Sequence, residues 1–365
     1  MLKKIKNIIS RTDNLLFKFF GSDKTTQILQ KISEGREIFL ILNEKQFETK
    51  VRFVGGCVRK ALNAEDIDDI DLATSFSPEE VKRKLNKKNI KVVDTGISHG
   101  TVTAIINKKK FEITTLRKDV STDGRHANVE FSLNWENDAS RRDFTINAIY
   151  TDIEGRVFDP LNGASDLEKG IVKFIGIPEE RIQEDYLRIL RYFRFFSHYS
   201  KIDHDPNVIK SIKKNINGLN KISNERIYLE LNKILKLENF YSLFLHNQSR
   251  EIILYIFPQF KHYERLTKFN TLNKKSKNQY DNCLILALLM IGDSNDQEYF
   301  CHKYKVSNNI KKRLKNISQN YENIRSKNFY LEENIKKFIY FSNKEEVTDL
   351  LIFALCVDNK LKNLN

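Results

Sequence analysis

The chain has 365 residues, too many for one simple hydrophobic core, so two or three domains are expected. No apolar run approaches the roughly 20 residues of a membrane helix. The four cysteines are too scattered for zinc ligands and too few for a disulfide scaffold, which makes the cytosol the simplest compartment. The net charge of +14 suits a polyanionic partner, although a composition rich in Lys, Asn and Ile also produces such a charge.

Three regions follow one another along the chain. Residues 1–45 are basic and amphipathic and predict a helical segment, without the apolar core or cleavage site of a signal peptide. Short β-rich runs separated by turn residues come next. From about residue 165 helical periodicity dominates, interrupted by an exposed linker predicted at Asn270–Tyr280. The β-rich runs are Lys91–Asp94, Thr101–Ile106, Lys110–Leu116 and Val157–Phe158.

The most informative segment begins where an apolar strand leads into Gly55 and Gly56, followed by Arg59 and then by Asp69 and Asp71. Side chains two apart on a strand share a face, so the two carboxylates point to one side and their apolar neighbours to the core. Paired carboxylates are unfavourable unless a cation lies between them, and Mg²⁺ is the natural partner. A glycine turn can offer backbone N–H groups to a phosphate. The pattern predicts metal-assisted chemistry on a nucleoside triphosphate.

This combination resembles the signature of the class II nucleotidyltransferases, the superfamily of bacterial CCA-adding enzymes and bacterial poly(A) polymerases. Those families have Gly-Gly-x-Val-Arg-Asp followed by Asp-x-Asp-x-x-Thr. The matching residues here are Gly55, Gly56, Val58, Arg59, Asp69, Asp71 and Thr74. Lys60 stands where the family has Asp, which removes a negative charge near the triphosphate but no metal ligand.

Two further features lie between residues 110 and 131. Glu112 is on an alternating strand, opposite in parity to Phe111 and Ile113, and is either a third carboxylate of a two-metal site or a surface glutamate on an edge strand. The polar segment Lys118–Phe131 predicts a mobile loop or a plain β-connection. In the family a flexible loop at this position is associated with adding the terminal A, which favours a complete CCA-adding enzyme over one that adds only CC.

A second block, Asp138–Tyr150 (DASRRDFTINAIY), concentrates polar groups in one short segment. Arg141 and Arg142 offer forked donors to phosphates, and Asp143 and Asn147 can bind a ribose hydroxyl. A helix start with an ion pair is the alternative. The string resembles the Arg-Arg-Asp-Phe-Thr-x-Asn-Ala motif of the same superfamily.

A third block is predicted to lie on one helix, where spacings of three and four place Glu184, Asp185, Arg188 and Arg191 on one face. A carboxylate accepts from an exocyclic amino group and a guanidinium donates to a ring nitrogen or carbonyl. Such a face could accept CTP and ATP and reject UTP and GTP without a template. The Glu-Asp-x-x-Arg string resembles the nucleotide-selecting motif of the family, which carries over to the first three of these residues.

The remaining signals are weaker. Ser223 or Asn224 is expected to cap a helix that is similar to the family's neck helix and supports the nucleotide-selecting helix. Further on, a basic stretch is either a solvated helix face or a groove for tRNA phosphates. Its basic residues are Lys305, Lys311, Lys312, Arg313 and Lys315.

Together the resemblance implies an α+β fold. A nucleotidyltransferase head with a small mixed sheet spans 46–165, an all-helical neck 166–257, and a body and tail that bind tRNA 258–365. The implied activity is addition or repair of the 3′-terminal CCA of tRNA from CTP and ATP by two-metal transfer. Asp69 and Asp71 would hold Mg²⁺, with Glu112 beside them, and no membrane or protein partner is implied.

Three alternatives stay open. A bacterial poly(A) polymerase shares every motif named above, but it usually carries a longer and very basic C-terminal extension, whereas this sequence closes quietly at Leu361–Asn365. A partial enzyme would add only CC or only A. A non-catalytic RNA-binding relative is supported by Lys60 alone.

Overall fold

The computed structural model describes residues 33–44, 49–97, 100–123, 126–276, 281–326 and 331–357. The chain divides into two compact units, Met1–Asp185 with Tyr199–Val208, and Tyr186–His198 with Ile209–Asn365. Of the predicted N-terminal helical segment, Ser33–Leu42 forms helix α1, whereas residues 1–32 and 45 lie outside the described residues.

The first unit is built on a mixed sheet and short helices. Its strands are β1 (Val51–Val54), β2 (Ile70–Thr74), β3 (Lys91–Gly96), β4 (Thr101–Ile106), β5 (Lys109–Thr115), β6 (Arg117–Asp123), β7 (His126–Phe131), β8 (Tyr150–Thr151) and β9 (Val157–Phe158). Its other helices are α2 (Gly56–Leu62), α3 (Pro78–Asn86), α4 (Trp135–Ser140), α5 (Gly163–Lys169) and α6 (Pro178–Glu184), with a 3₁₀ turn at Thr145–Asn147.

Seven of these strands form one sheet in the order β3-β4-β5-β2-β1-β8-β9. Strands β2 and β5 are parallel, and the other neighbouring pairs are antiparallel. The alternation predicted from the sequence is confirmed, since Phe111 and Ile113 on β5 and Leu72 on β2 are fully buried. They pack with Ile38 of α1 and Val81 of α3 in one hydrophobic cluster. This packing holds β2 and β5 side by side and fixes which residues face away from the core.

The segment predicted as a mobile loop or β-connection is an antiparallel hairpin. Strands β6 and β7 pair from Arg117 opposite Phe131 to Asp123 opposite His126. The residues between them, Gly124 and Arg125, lie outside the described part of the chain. The plain β-connection is therefore the better description of the described backbone.

The second unit is helical. Its elements are α7 (Arg188–Tyr199), α8 (Pro206–Asn215), a 3₁₀ segment (Ile216–Lys221), α9 (Asn224–Leu235), α10 (Ser242–Leu245), α11 (Asn247–Ile256), α12 (Arg265–Ser276), α13 (Asn282–Met290), α14 (Asp296–Lys303), α15 (Asn308–Gln319), α16 (Tyr321–Arg325), α17 (Glu332–Phe341) and α18 (Lys344–Val357), of which α7 and α8 also contribute residues to the first unit. The predicted α+β fold is confirmed. None of the described helices is long and apolar enough to cross a membrane.

Helix α9 confirms the cap expected near residue 223. The Ser223 hydroxyl accepts a hydrogen bond from the backbone N–H of Arg226, 3.4 Å away. Further along α9, the carboxylate of Glu230 is 3 % exposed and pairs with the guanidinium of Arg194 on α7. Helix α9 is therefore joined to α7 by this ion pair, in agreement with the supporting role expected of a neck helix.

Two smaller predictions for the helical half are wrong. The linker predicted at Asn270–Tyr280 is helical as far as Ser276, because Leu266 and Phe269 are buried at helical spacing and anchor α12. Residues 277–280 lie outside the described residues.

Arg313 is the second correction, since it lies neither on a solvated face nor in a basic groove. It is 6 % exposed and donates to the carboxylates of Asp281, Glu345 and Asp349. These three negative charges compensate its burial. The four lysines named with it in the basic stretch are exposed.

Candidate active site

The glycine turn joins β1 to α2. Gly55 has a φ of +72°, a left-handed conformation that glycine adopts without a steric cost. A Cβ atom at Gly55 would lie 3.5 Å from Nη1 of Arg142, whereas a Cβ at Gly56 would meet nothing within 4 Å. The turn therefore leaves open space beside Gly56, next to an arginine.

The three candidate carboxylates come together on β2 and β5. Asp71 is the direct register partner of Glu112, and Asp69 immediately precedes β2. The pKa of Asp71 is raised to about 6, chiefly by burial and also by the charges of Glu112 and Asp69, while Arg142 and Arg59 oppose the rise. Strand β5 lies between β4 and β2, so Glu112 is not on an edge strand. Glu112 is nevertheless exposed, and its role as a third carboxylate remains a prediction.

These carboxylates fit a divalent cation whose coordination is completed by the substrate. Within the described ranges, no three His, Cys, Asp or Glu side chains are grouped to hold a metal by themselves. Mg²⁺ typically uses one or two protein carboxylates and takes its other ligands from phosphate oxygens and water. Burial and the neighbouring charges of Glu112 and Asp69 both raise the pKa of Asp71, and a bound cation would oppose this rise.

Arg141 and Arg142 are held by a residue to which the sequence analysis assigned no role. Asp138 is 1 % exposed; its Oδ1 accepts from Nε of Arg141 at 2.8 Å, and its Oδ2 accepts from Nη2 of Arg142 at 3.0 Å. The hydroxyl of Tyr150 donates to Oδ2 of Asp138 at 2.8 Å. Burial alone would raise the pKa of Asp138, but the two arginines outweigh it and hold that pKa well below its usual range.

The consequence is a rigid pair of guanidinium groups. The ion-pair part of the alternative interpretation is correct, but α4 ends at Ser140, so the segment is a helix end and not a helix start. Spacings of three and four residues could have indicated Asp138 from the sequence. For Tyr150, whose contact comes from β8, no such local signal exists.

A second buried network fixes the start of α2. Nη1 of Arg59 donates to Oδ1 of Asn147, and Nδ2 of Asn147 donates to Oδ1 of Asp143 at 2.8 Å. The Arg59 guanidinium also lies 5.1 Å from the centre of the Tyr199 ring. Arg59, Asp143 and Asn147 are 6 %, 7 % and 6 % exposed. These bonds tie the helix after the glycine turn to the 3₁₀ turn at Thr145–Asn147.

Lys60, the departure from the family pattern, has its own partner. Its ammonium group pairs with Asp68, whose Oδ1 also accepts from the backbone N–H of Asp69 at 3.1 Å. Lys60 therefore contacts the residue that immediately precedes Asp69 and the start of β2.

The nucleotide-selecting block does not lie on one helix, and that prediction is wrong. Helix α6 ends at Glu184, Asp185 is extended with φ −152°, and α7 begins at Arg188. Glu184 and Asp185 belong to the first unit, whereas Arg188 and Arg191 belong to the second.

The break has a packing reason. The ring of Tyr186, the residue after Asp185, lies so close to Gly218 that a Cβ there would be 2.0 Å from it. A continuous helix would direct this ring elsewhere. The roles of the four residues of the block remain predictions.

Arg181 is the other residue that the sequence analysis missed. Its Nη1 donates to Oε1 of Glu184 at 2.7 Å, and its Nη2 donates to the backbone carbonyl oxygens of Arg141 and Arg142, both at 2.6 Å. The spacing of three from Glu184 was its only sequence signal.

Comparisons with known proteins agree with this architecture. Residues 51–173 match the family described as Poly A polymerase head domain, and residues 203–264 match "Probable RNA and SrmB- binding site of polymerase A". The chain is 48 % identical over 192 residues to CCA tRNA nucleotidyltransferase 1, mitochondrial, of Homo sapiens, covering 51 % of this chain and 44 % of that protein. It is 31 % identical over 303 residues to the CCA-adding enzyme of Staphylococcus saprophyticus, covering 82 % and 72 %.

A solved structure extends the likeness to the fold. The Bacillus stearothermophilus CCA-adding enzyme in complex with CTP superposes with a TM-score of 0.66 at 25 % identity, covering 89 % of this chain and 77 % of that one. The chain spans about half the length of the first curated relatives that it matches. Identity above 30 % along most of the Staphylococcus protein, with the motifs in family order, shows the relationship. The chain belongs to the family of class II CCA-adding enzymes and bacterial poly(A) polymerases.

Proposed function

We propose that this chain is a tRNA nucleotidyltransferase that builds or repairs the 3′-terminal CCA from CTP and ATP without a nucleic-acid template. One observation carries the proposal: the half-buried carboxylate of Asp71 lies next to the charges of Glu112 and Asp69, while Arg142 lies beside the open glycine turn. Negative charge for a cation and positive charge for a phosphate thus lie side by side, as a magnesium nucleotide requires. The names of the relatives support CCA addition as the reaction.

In the proposed mechanism Asp69 and Asp71 would hold Mg²⁺, and Glu112 would add negative charge beside them. When bound, Mg²⁺ supplies activation of the RNA 3′-hydroxyl and shielding of the triphosphate charge. The hydroxyl gives up its proton to solvent and its oxygen forms a bond to the α-phosphorus, the bond between the α-phosphorus and the bridging oxygen breaks, and pyrophosphate leaves. The protein contributes mainly position and charge to this step.

The arginines are proposed to bind the triphosphate. Arg141 and Arg142 are held in place by Asp138, so their remaining donors are already oriented before substrate arrives. Gly55 and Gly56 leave room for the phosphates. Arg59 supports this turn from within.

Asp143 and Asn147 are proposed to bind the ribose. Their mutual hydrogen bond supports a second role as an anchor of the turn, through Arg59. Base selection is proposed for Glu184, Asp185 and Arg188, with Arg191 beside them. The cytosol is the proposed compartment, in keeping with four free and buried cysteines.

A poly(A) polymerase is the second candidate, because the matching head family carries that name. Incorporation of labelled CTP and ATP with Mg²⁺ separates the two. The substrates are tRNAs that lack the final A, the final CA or the whole CCA, with an unrelated RNA alongside. Addition that stops at a complete CCA supports the proposal, whereas long A tails on the unrelated RNA would refute it. A stop after two Cs would identify a partial enzyme, and no incorporation would favour the non-catalytic relative.

A further inference from the structure

Arg181 connects two segments to which the proposed function gives different tasks. Its guanidinium donates to Oε1 of Glu184, in the block proposed to select the base. The same guanidinium donates to the carbonyl oxygens of Arg141 and Arg142, which are proposed to bind the triphosphate. Its side chain is 12 % exposed. One planar group therefore fixes the distance between the two segments.

The chemistry of arginine suits this task. A guanidinium is always charged and presents donors in a rigid fork, so it can satisfy a carboxylate on one edge and two carbonyl oxygens on the other. Asp138 holds the side chains of Arg141 and Arg142, and Arg181 holds their backbone. A shift of Glu184 is thereby transmitted to the segment from which both phosphate-binding arginines project.

We propose that Arg181 is a positioning residue that couples base selection at Glu184 to triphosphate binding at Arg141 and Arg142. The inference rests on the proposed function of these two segments. Loss of Arg181 would remove this donor from two backbone carbonyls and this counter-charge from Glu184. With such a coupling, the affinity of the protein for the triphosphate depends on which base is bound at Glu184.

The first test uses Glu184→Ala and inorganic pyrophosphate, which has no base. The dissociation constant of pyrophosphate with Mg²⁺ is measured by titration calorimetry. Electrostatics alone predicts tighter binding, because the variant loses a negative charge. Coupling through Arg181 predicts the opposite, a rise in the dissociation constant of roughly five-fold, about the value of one ordinary hydrogen bond. Glu184 is 30 % exposed at the end of α6, so the variant is expected to fold.

The reciprocal test uses Arg181→Lys and the ratio of the CTP and UTP dissociation constants. Lysine keeps the charge but cannot reach all three acceptors. The preference for CTP over UTP is expected to fall roughly ten-fold, about the value of one hydrogen bond to a charged group. Arg156→Lys is the matched control, since Arg156 pairs with Asp152 and Glu154 elsewhere in the same unit and should leave the ratio unchanged. Fluorescence of Trp135, the only tryptophan, reports whether each variant is folded.

Unchanged or tighter pyrophosphate binding in Glu184→Ala would overturn the inference. So would an unchanged CTP to UTP ratio in Arg181→Lys, which would leave Arg181 a purely structural residue. Both are binding measurements, so they decide the inference even for a protein that incorporates no CMP. That last result would refute the proposed function instead.

Discussion

Replacing Asp71 by Asn is expected to stabilise the protein in the absence of divalent cations. The pKa of Asp71 rises from an ordinary 3.8 to about 6, chiefly through burial and secondly through Glu112. At acidic pH residue 71 is protonated in both the folded and the unfolded protein, so its carboxyl does not lower the free energy of unfolding. As pH rises from about 4 to about 6, the unfolded state gives up its proton first, and the free energy of unfolding falls.

The size of the effect follows from the two pKa values. A difference of about two units, at about 1.4 kcal/mol each, amounts to about 3 kcal/mol at neutral pH. Asp71→Asn removes the charge and should therefore be more stable than the wild type by up to that amount at pH 7.5, and equal to it near pH 4. Added Mg²⁺ should stabilise the wild type and leave the variant nearly unchanged.

Urea unfolding followed by Trp135 fluorescence measures this difference in the first unit. Asp68→Asn is the matched control. Lys60 lowers the pKa of Asp68, so the charge of Asp68 favours the folded state, whereas the charge of Asp71 opposes it. That variant should be no more stable than the wild type at pH 7.5. An Asp71→Asn protein that gains nothing at neutral pH, or gains as much at pH 4, would refute the account of the carboxylate cluster.

Three further predictions concern the surroundings of the site. Asp138→Asn should lower the free energy of unfolding by about 3 kcal/mol and raise the KM for CTP, because two half-buried guanidinium groups lose a fully buried counter-charge; urea midpoints and steady-state kinetics check this, and wild-type values for both would contradict it. Lys60→Asp, which restores the family residue, should reduce incorporation, because the new carboxylate faces Asp68, and the swap with Asp68→Lys should recover it; higher activity in the single variant would show that Lys60 is a defect. Gly56→Ala should leave stability unchanged but reduce incorporation, because its methyl group enters open space, whereas Gly55→Ala should lower stability by about 1 kcal/mol, because φ is +72°; equal stability losses in both variants would contradict the geometry of the turn.

Much of the first unit could be predicted because its signals are local. The alternation around Glu112 indicated the face of β5, and the two-residue spacing of Asp69 and Asp71 indicated a shared side of β2. Glu112 was a candidate neighbour of this pair, but the strand register that places it opposite Asp71 could not be predicted, since a parallel pairing joins segments far apart in sequence. The register of Asp71 with Glu112 is a property of the sheet.

The misses arise where tertiary contacts override local pattern. The break after Glu184 depends on the ring of Tyr186 against Gly218, and no residue in the segment itself is a helix breaker. Arg313 lies in a basic stretch, but its partners are on α13 and α18 or next to them, so composition alone placed it on the surface. Arg181 was overlooked because its Nη2 donates to backbone carbonyls, which the side-chain pattern does not reveal.

The most direct test of the central claim is nucleotide addition by Asp71→Ala. Single-turnover incorporation of CMP onto a tRNA without CCA is measured with Mg²⁺, and tRNA affinity is measured in parallel by filter retention. The account predicts that incorporation falls by at least roughly a thousand-fold, while the affinity for tRNA stays within about two-fold of the wild type. Incorporation within a few-fold of the wild type would contradict it and remove the carboxylate pair from the reaction.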